Sequence, residues 1–231
     1  MKTILITGAN RGIGLAHVRA FAARGVHVLA TARVPAEADE LTQTAVRYAG
    51  LIDILAYDAT DPEAPSRLKA IVGNTPLDIL FLNAGVMGKN SQSLGSIDVH
   101  DILDVFSINA LAPLNLVEAL TDNVARSERK LVAFQSSLMG SIGDNSSGGH
   151  YGYRLSKCAL NMIAKGIAND LRARGVISVA LHPGWVKTRM GGQHAPVTVE
   201  QSVTGQQKIL DNLTLQDSGR FFNYDGKVLP W

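Results

Sequence analysis

Cysteine is almost absent from this 231-residue chain, where Cys158 stands alone. No intrachain disulfide can form, which points to a reducing compartment. An excess of charge of either sign is also missing. The 22 Lys and Arg face 20 Asp and Glu, for a net charge of +2 with no basic run, so nothing asks for nucleic acid. Long apolar runs are lacking too. The least charged stretches, 105–117 and 131–143, are broken by Asn, Pro, Ser or Gly. Both fall short of the roughly 18 apolar residues a membrane span needs. At the start, only three strongly apolar residues, Ile4, Leu5 and Ile6, precede a glycine, which is too few for a signal peptide. The 22 glycines show no three-residue period, which excludes a collagen-like chain. With 46% hydrophobic and 18% charged residues the chain is not disordered. A cytoplasmic enzyme or binding protein remains, long enough to bury a core.

Short β-branched runs alternate with longer helical patterns. Strands are predicted over residues 3–7, 26–31, 51–57, 77–82, 130–135, 176–181 and 220–222. Helices are predicted over 12–24, 36–47, 61–72, 97–125, 150–174 and 199–212. Pro62 is expected in the first turn of the third helix, and Pro113 should kink the fourth. Segments 136–149 and 184–196 read as loops. Strands apolar on both faces, separated by helices, imply a parallel sheet covered on each side. No repeat or linker divides the chain. Residues 1–231 therefore read as a single doubly wound α/β Rossmann domain with a sheet of about seven strands. Its ligand should lie at the carboxyl ends of the strands.

The first strand-to-helix turn reads Thr7-Gly8-Ala9-Asn10-Arg11-Gly12-Ile13-Gly14. Glycines there allow a tight turn, close backbone approach to a pyrophosphate, and close packing of helix on strand. The helix N-terminus then offers free N–H groups to the phosphates. The same glycines also suit a plain turn. Four further motifs follow in order: Asn83-Ala84-Gly85 after the fourth strand, Asn109 in the next helix, Ser137 with Tyr153-Arg154-Leu155-Ser156-Lys157, and Pro183-Gly184 after the sixth strand. Together they resemble the short-chain dehydrogenase/reductase family over residues 3 to 188. Leu82 stands where that family often has a first Asn. Two later segments, 182–192 and 222–226 with Pro230-Trp231, resemble its C-factor and sniffer carbonyl-reductase branch. Some members of that branch are discussed as signalling proteins.

Tyr153 and Lys157 are four apart on a predicted helix and so share a face. An ammonium nearby lowers the pKa of a phenol from about 10, which suits proton donation to a carbonyl oxygen. Tyr151 lies off that face. An isolated Tyr-x-x-x-Lys is also a common surface pair. Ser137, second of the pair in Ser136-Ser137-Leu138-Met139-Gly140, matches the catalytic serine of the family pattern and would hydrogen-bond the same oxygen. The resemblance implies that Asn109 holds a water linking Lys157 to solvent. Its side chain could equally satisfy a local carbonyl near Pro113.

The resemblance implies further cofactor contacts beyond Gly8, Asn10, Arg11, Gly12, Ile13 and Gly14. Asp58, with Ala59 beside it, would meet the adenine, although Asp58 could also cap a helix. Asn83, Ala84 and Gly85 would pack on the adenosine side. Val186 and Thr188 would face the nicotinamide carboxamide, with Tyr153 and Lys157 adjoining the cofactor. Cofactor choice turns on charge after the second strand, where NAD wants an acid and NADP a cation. That strand ends Ala30-Thr31-Ala32-Arg33 without an acid. Arg33 and Arg11 suit a 2′-phosphate, so NADP is expected. The missing acid also speaks against a methyltransferase.

The leading expectation is an NADPH-dependent reductase of a small-molecule carbonyl compound. The alternative is an NADP-binding signalling protein of the C-factor type with vestigial chemistry. Residues 184–199 would form the substrate loop, with His194 in it. The resemblance implies a homodimer or homotetramer, since the two long helices over 97–125 and 150–174 make dimer faces in the family. Cys158 reads as a small core residue, no metal spacing occurs, and no nucleic acid or membrane partner is expected.

Overall fold

The computed structural model describes residues 2–89 and 92–231. Seven strands run as β1 (Thr3–Ile6), β2 (His27–Ala32), β3 (Ile52–Ala56), β4 (Ile79–Leu82), β5 (Leu131–Gln135), β6 (Ile177–His182) and β7 (Phe221–Asn223). They form one parallel sheet in the order β3-β2-β1-β4-β5-β6-β7. The expected doubly wound architecture is present. Its strand order reverses between β1 and β4, which opens a crevice at their carboxyl ends.

Alternation along the strands sorts the core into two layers. Ile4 and Ile6 of β1 face one side and pack with Leu15, Val18 and Phe21 of α1 (Gly12–Ala22), Leu41 of α2 (Asp39–Arg47) and Leu210 of α7 (Val199–Asn212). Leu5, Leu80 and Leu82 face the other. They meet Leu68 of α3 (Ala64–Val72), Leu116 and Leu120 of α5 (Ala112–Ala125), and Leu160 of α6 (Tyr151–Asp170). α3 starts three residues later than the pattern predicts, so Pro65 rather than Pro62 occupies its first turn.

The long helix predicted over 97–125 is three pieces. α4 (Val99–Phe106) passes into a π-helical segment, Ser107–Leu111, and then into α5. Pro113 has no N–H to give the carbonyl of Asn109 four residues earlier. The wider register falls in the turn before it, where the Ala112 N–H reaches the Ser107 carbonyl. Such bulges often mark functional positions, and this one contains Asn109. The run Val99–Ala125 is also long and apolar enough to cross a membrane by composition, contrary to the reading of its interruptions. Here Leu116, Val117, Leu120 and Val124 spend their apolar surface against the sheet.

Candidate active site

The glycine turn needs its glycines for space and for backbone shape. Gly8 and Gly12 have φ of 63° and 56°, a region that side chains disfavour. A Cβ on Gly14 would stand 2.3 Å from the Gly8 carbonyl oxygen, and one on Gly8 would stand 2.9 Å from Ala84 Cα. α1 then begins with no side-chain cap and no acid in its first turn. Its free N–H groups suit an anion.

Asn83, Ala84 and Thr7 hold that turn in place. Asn83 Nδ2 donates to the carbonyls of Thr7 and Gly8, each at 3.0 Å, while the N–H groups of Asn83 and Ala84 donate to Thr7 Oγ1, also at 3.0 Å. The Asn83 side chain is thus spent on the chain itself. The Ala9 N–H reaches the Thr31 carbonyl at 2.8 Å, which docks the turn on the end of β2. Arg11 and Arg33 are exposed, and neither forms an ion pair among the described residues. Asp58 lies just beyond β3. Its Oδ1 accepts from Thr60 N–H and Oγ1 at 2.9 and 2.8 Å, so it caps its own turn. Thr188 brings its methyl group beside Gly12, 3.7 Å from where a Cβ would lie. Val186 is buried and bridges to Val197, folding residues 184–197 back on themselves.

α6 presents Tyr153, Ser156 and Lys157 to one interior. Lys157 is 4% exposed. Its Nζ donates to the Gln135 carbonyl at 2.8 Å and stands 5.7 Å from the Tyr153 ring centre. Burial without a carboxylate pushes the Lys157 amine down to about 8. Burial also pushes the Tyr153 phenol up to about 12, and the neighbouring Ser137 hydroxyl pulls weakly the other way. The net lowering of the phenol expected from Lys157 is not seen, because burial of the phenolate dominates and the Lys157 amine gives its hydrogen bond to Gln135.

Asn109 is fully buried. Its Oδ1 accepts the Val86 N–H at 2.8 Å, and its Nδ2 donates to the Val86 carbonyl at 2.8 Å and to Ser156 Oγ at 3.0 Å. None of these partners lies in its own helix, so the local role near Pro113 does not occur. The two serines after β5 part ways. Ser136 donates to Asn161 Oδ1 at 2.5 Å, away from the tyrosine, whereas Ser137 accepts the Met139 N–H at 3.2 Å and adjoins Tyr153. Gly140 lets this turn lie on α6, since a Cβ there would stand 2.6 Å from the Lys157 carbonyl carbon.

Asn109 Oδ1 and Lys157 Nζ thus meet beside Gly85, 3.1 and 3.5 Å from where a Cβ would lie, with Tyr153 adjoining Lys157 and Ser137 adjoining Tyr153. Gln135 and Ser156 bond Lys157 and Asn109 directly, Thr7 and Asn161 hold the neighbouring turns, and no motif singles these four out. Only Thr7 and Ser156, lying inside quoted motifs, carried a signal. Among the described residues no group of His, Cys, Asp and Glu gathers to hold a metal.

The short chain dehydrogenase family model matches residues 2–196. The chain belongs to that family. Among its relatives, the C-signal protein of Myxococcus xanthus is 44% identical over 68% of this chain and 93% of its own. The carbonyl reductase Sniffer of D. melanogaster superposes with a TM-score of 0.93 at 34% identity, covering all of both chains. An NADPH-bound carbonyl reductase from chicken fatty liver gives 0.94 at 36% identity, over 100% of this chain and 99% of that one. Membership in the dehydrogenase family makes the chain an oxidoreductase by fold and motif, of the carbonyl-reductase and C-factor branch.

Proposed function

We propose that this short-chain dehydrogenase reduces an aldehyde, ketone or quinone to the alcohol with NADPH, with Tyr153 as the proton donor. The observation that carries the reading is the meeting of Tyr153 and Ser137 above the buried Lys157. NADPH, when bound, supplies the hydride to the carbonyl carbon. Ser137 turns its O–H to the carbonyl oxygen and orients it, and Tyr153 gives that oxygen its proton. A phenol held near 12 stays protonated at neutral pH, which is the form reduction needs. Lys157 must carry its proton to favour the phenolate left behind. Asn109 positions Ser156 and Val86 beside this route.

The bare N-terminus of α1, with Gly8, Asn10, Gly12, Ile13 and Gly14, receives the pyrophosphate. Arg11 and Arg33 take the 2′-phosphate, and Asp58 with Ala59 borders the adenine. Val186 and Thr188 lie on the nicotinamide side, and residues 184–199 serve as the substrate loop of a single 231-residue domain. A homodimer or homotetramer fits the exposed apolar residues Leu103, Leu111, Leu155 and Met162 on α4, the π segment and α6. The single cysteine fits a cytoplasmic setting.

The likeness to the C-signal protein supports a second reading, an NADP-binding signalling protein with vestigial turnover. NADPH oxidation over a panel of aldehydes, ketones and quinones separates the two. Turnover of at least one class is expected. NADPH binding with no turnover across the panel would favour the signalling protein.

A further inference from the structure

The helix that carries Tyr153 begins without a cap of its own. His150 precedes it with φ 48°, and its side chain bonds no N–H of the first turn. The first N–H groups of a helix have no partner within it, and in a buried setting they must find one elsewhere. Here they find a single residue from the loop between β4 and α4. Gln92 accepts the Tyr151 N–H on its backbone carbonyl at 3.2 Å and the Gly152 N–H on Oε1 at 2.7 Å. Its Nε2 donates to Asp101 Oδ2 on α4. The same carboxylate accepts the Lys89 N–H at 3.0 Å.

This bridge is buried and closely fitted. Gln92 is 3% exposed. A Cβ on Gly152 would stand 2.5 Å from Gln92 Oε1, and one on Gly88 would stand 2.9 Å from Asp101 Oδ2 and 2.6 Å from Val105 Cγ2. The bridge has a polarity as well. The Asp101 carboxylate draws on the amide N–H of Gln92, which enriches its oxygen where that oxygen faces the positive end of α6. Asn109 and Ser156 already form one link between the α4–π segment and α6. Asp101–Gln92–Gly152 forms a second, one residue before the phenol.

We propose that Gln92 is a positioning residue for the reaction assigned above. It touches neither substrate nor cofactor, and with Asp101 it sets the place of Tyr153 relative to Ser137 and Asn109. The proposal rests on the carbonyl-reductase reading. Misplacement of a reacting group by about 1 Å can cost on the order of 100-fold in rate.

The experiment compares wild type, Gln92→Leu, Gln92→Glu, Asp101→Asn and the double variant Gln92→Glu/Asp101→Asn. It measures kcat, the NADPH dissociation constant and the thermal midpoint. Gln92→Leu keeps the size and removes both side-chain bonds. Gln92→Glu sets two carboxylates against each other. Both should lower kcat by about tenfold or more, with the NADPH dissociation constant within about threefold of wild type. In the double variant the new Asn amide donates to the new carboxylate, which still accepts the Gly152 N–H. Its kcat should return to within about threefold of wild type. A structural tie alone would lower the midpoint of the single variants and leave kcat per folded molecule unchanged, and that result overturns the proposal. So does a double variant no better than Gln92→Glu. A wild type that binds NADPH and turns over no carbonyl defeats the reductase reading itself, and is told apart from these outcomes by the first measurement.

Discussion

Lys157 directs its hydrogen bond to the Gln135 carbonyl, 2.8 Å away, while the Tyr153 ring centre lies 5.7 Å from the same nitrogen. Tyr153 therefore gives up its proton beside a charge that is near it but not bonded to it. With the amine held down to about 8, that charge is lost just above neutral pH. The value of kcat/KM for NADPH reports the free enzyme. It should be level below about pH 8 and fall with unit slope above it. A plateau reaching about pH 10, the ordinary lysine range, would remove Lys157 from the proton route. Tyr153→Phe should lower kcat by roughly 10²–10⁴-fold and leave NADPH binding nearly intact. Tyr151→Phe should be close to neutral.

The adjacent serines should fail in different assays. Ser137→Ala removes a donor to the carbonyl oxygen and should cost roughly 10²–10³-fold in kcat, with little change in stability. Ser136→Ala leaves Asn161 Oδ1 buried without its donor and should cost about 1–3 kcal/mol of stability, with a smaller loss of rate. Denaturant unfolding and steady-state kinetics on both variants decide this. A larger rate loss in Ser136→Ala would assign the chemistry to the wrong serine.

Much of this was legible in sequence because residue type alone carried it. Strands such as residues 79–82 are apolar on both faces, and only a sheet covered twice accepts them. Gly8 and Gly14 mark a turn that no other residue fits. Tyr153 and Lys157 share a helical face by spacing, but it is the family resemblance of the ordered motifs that sets them apart from a common surface pair. The π segment was not legible, since it is a change of hydrogen-bond register and Pro113 marks only where the ordinary register fails. The pattern does not fix the start of α3, because Pro62 and Pro65 are both acceptable in a first turn. Gln92 was invisible for a different reason. Its partner Gly152 lies 60 residues away, and half of what it does is done by a backbone carbonyl. The rise of the Tyr153 pKa follows from burial, which spacing does not report.

His17 predicts how the fold responds to acid. It is fully buried on α1 against the rings of Phe21 and Phe81, and neither ring nitrogen has a hydrogen-bond partner among the described residues. Burial holds its pKa down at about 3, although Gln206 beside it pulls upward. As pH falls, the unfolded chain takes up the proton first, near 6.5, so this contribution to stability is complete above 6.5 and is lost down to about 3. At about 1.4 kcal/mol per unit, the loss between pH 6.5 and 5 is on the order of 2 kcal/mol. His182, held down to about 4 by burial, adds a loss of the same sign. His17→Leu should change stability at pH 7 by less than about 1.5 kcal/mol and flatten the acid limb. An unchanged slope between pH 6.5 and 5 would show that His17 is not its source.

Cofactor preference rests on two side chains at the open end of the crevice. The Ala9 N–H bond to the Thr31 carbonyl fixes the glycine turn beside the end of β2, so Arg11 and Arg33 leave neighbouring pieces of backbone. Both are exposed and without an acidic partner among the described residues. Arg33 rather than a carboxylate stands directly after β2, where an acid would accept from a ribose 2′-hydroxyl. A hydrogen bond to a charged group contributes about 1.5–3 kcal/mol, which is roughly tenfold or more in affinity for each arginine. NADPH should accordingly be used at least tenfold better than NADH. Arg33→Asp should lower kcat/KM for NADPH by about tenfold or more and raise it for NADH, because the new carboxylate repels the phosphate and accepts from the hydroxyl. Exposure has a further consequence. The NADPH advantage of the wild type should shrink as salt rises from about 0.05 to 0.5 M, since charges this open to solvent are screened. In Arg33→Asp the salt dependence should be weaker. Measuring kcat/KM for both cofactors in both proteins at several ionic strengths tests all four statements. Equal use of NADPH and NADH by the wild type would reduce both arginines to ordinary surface charges.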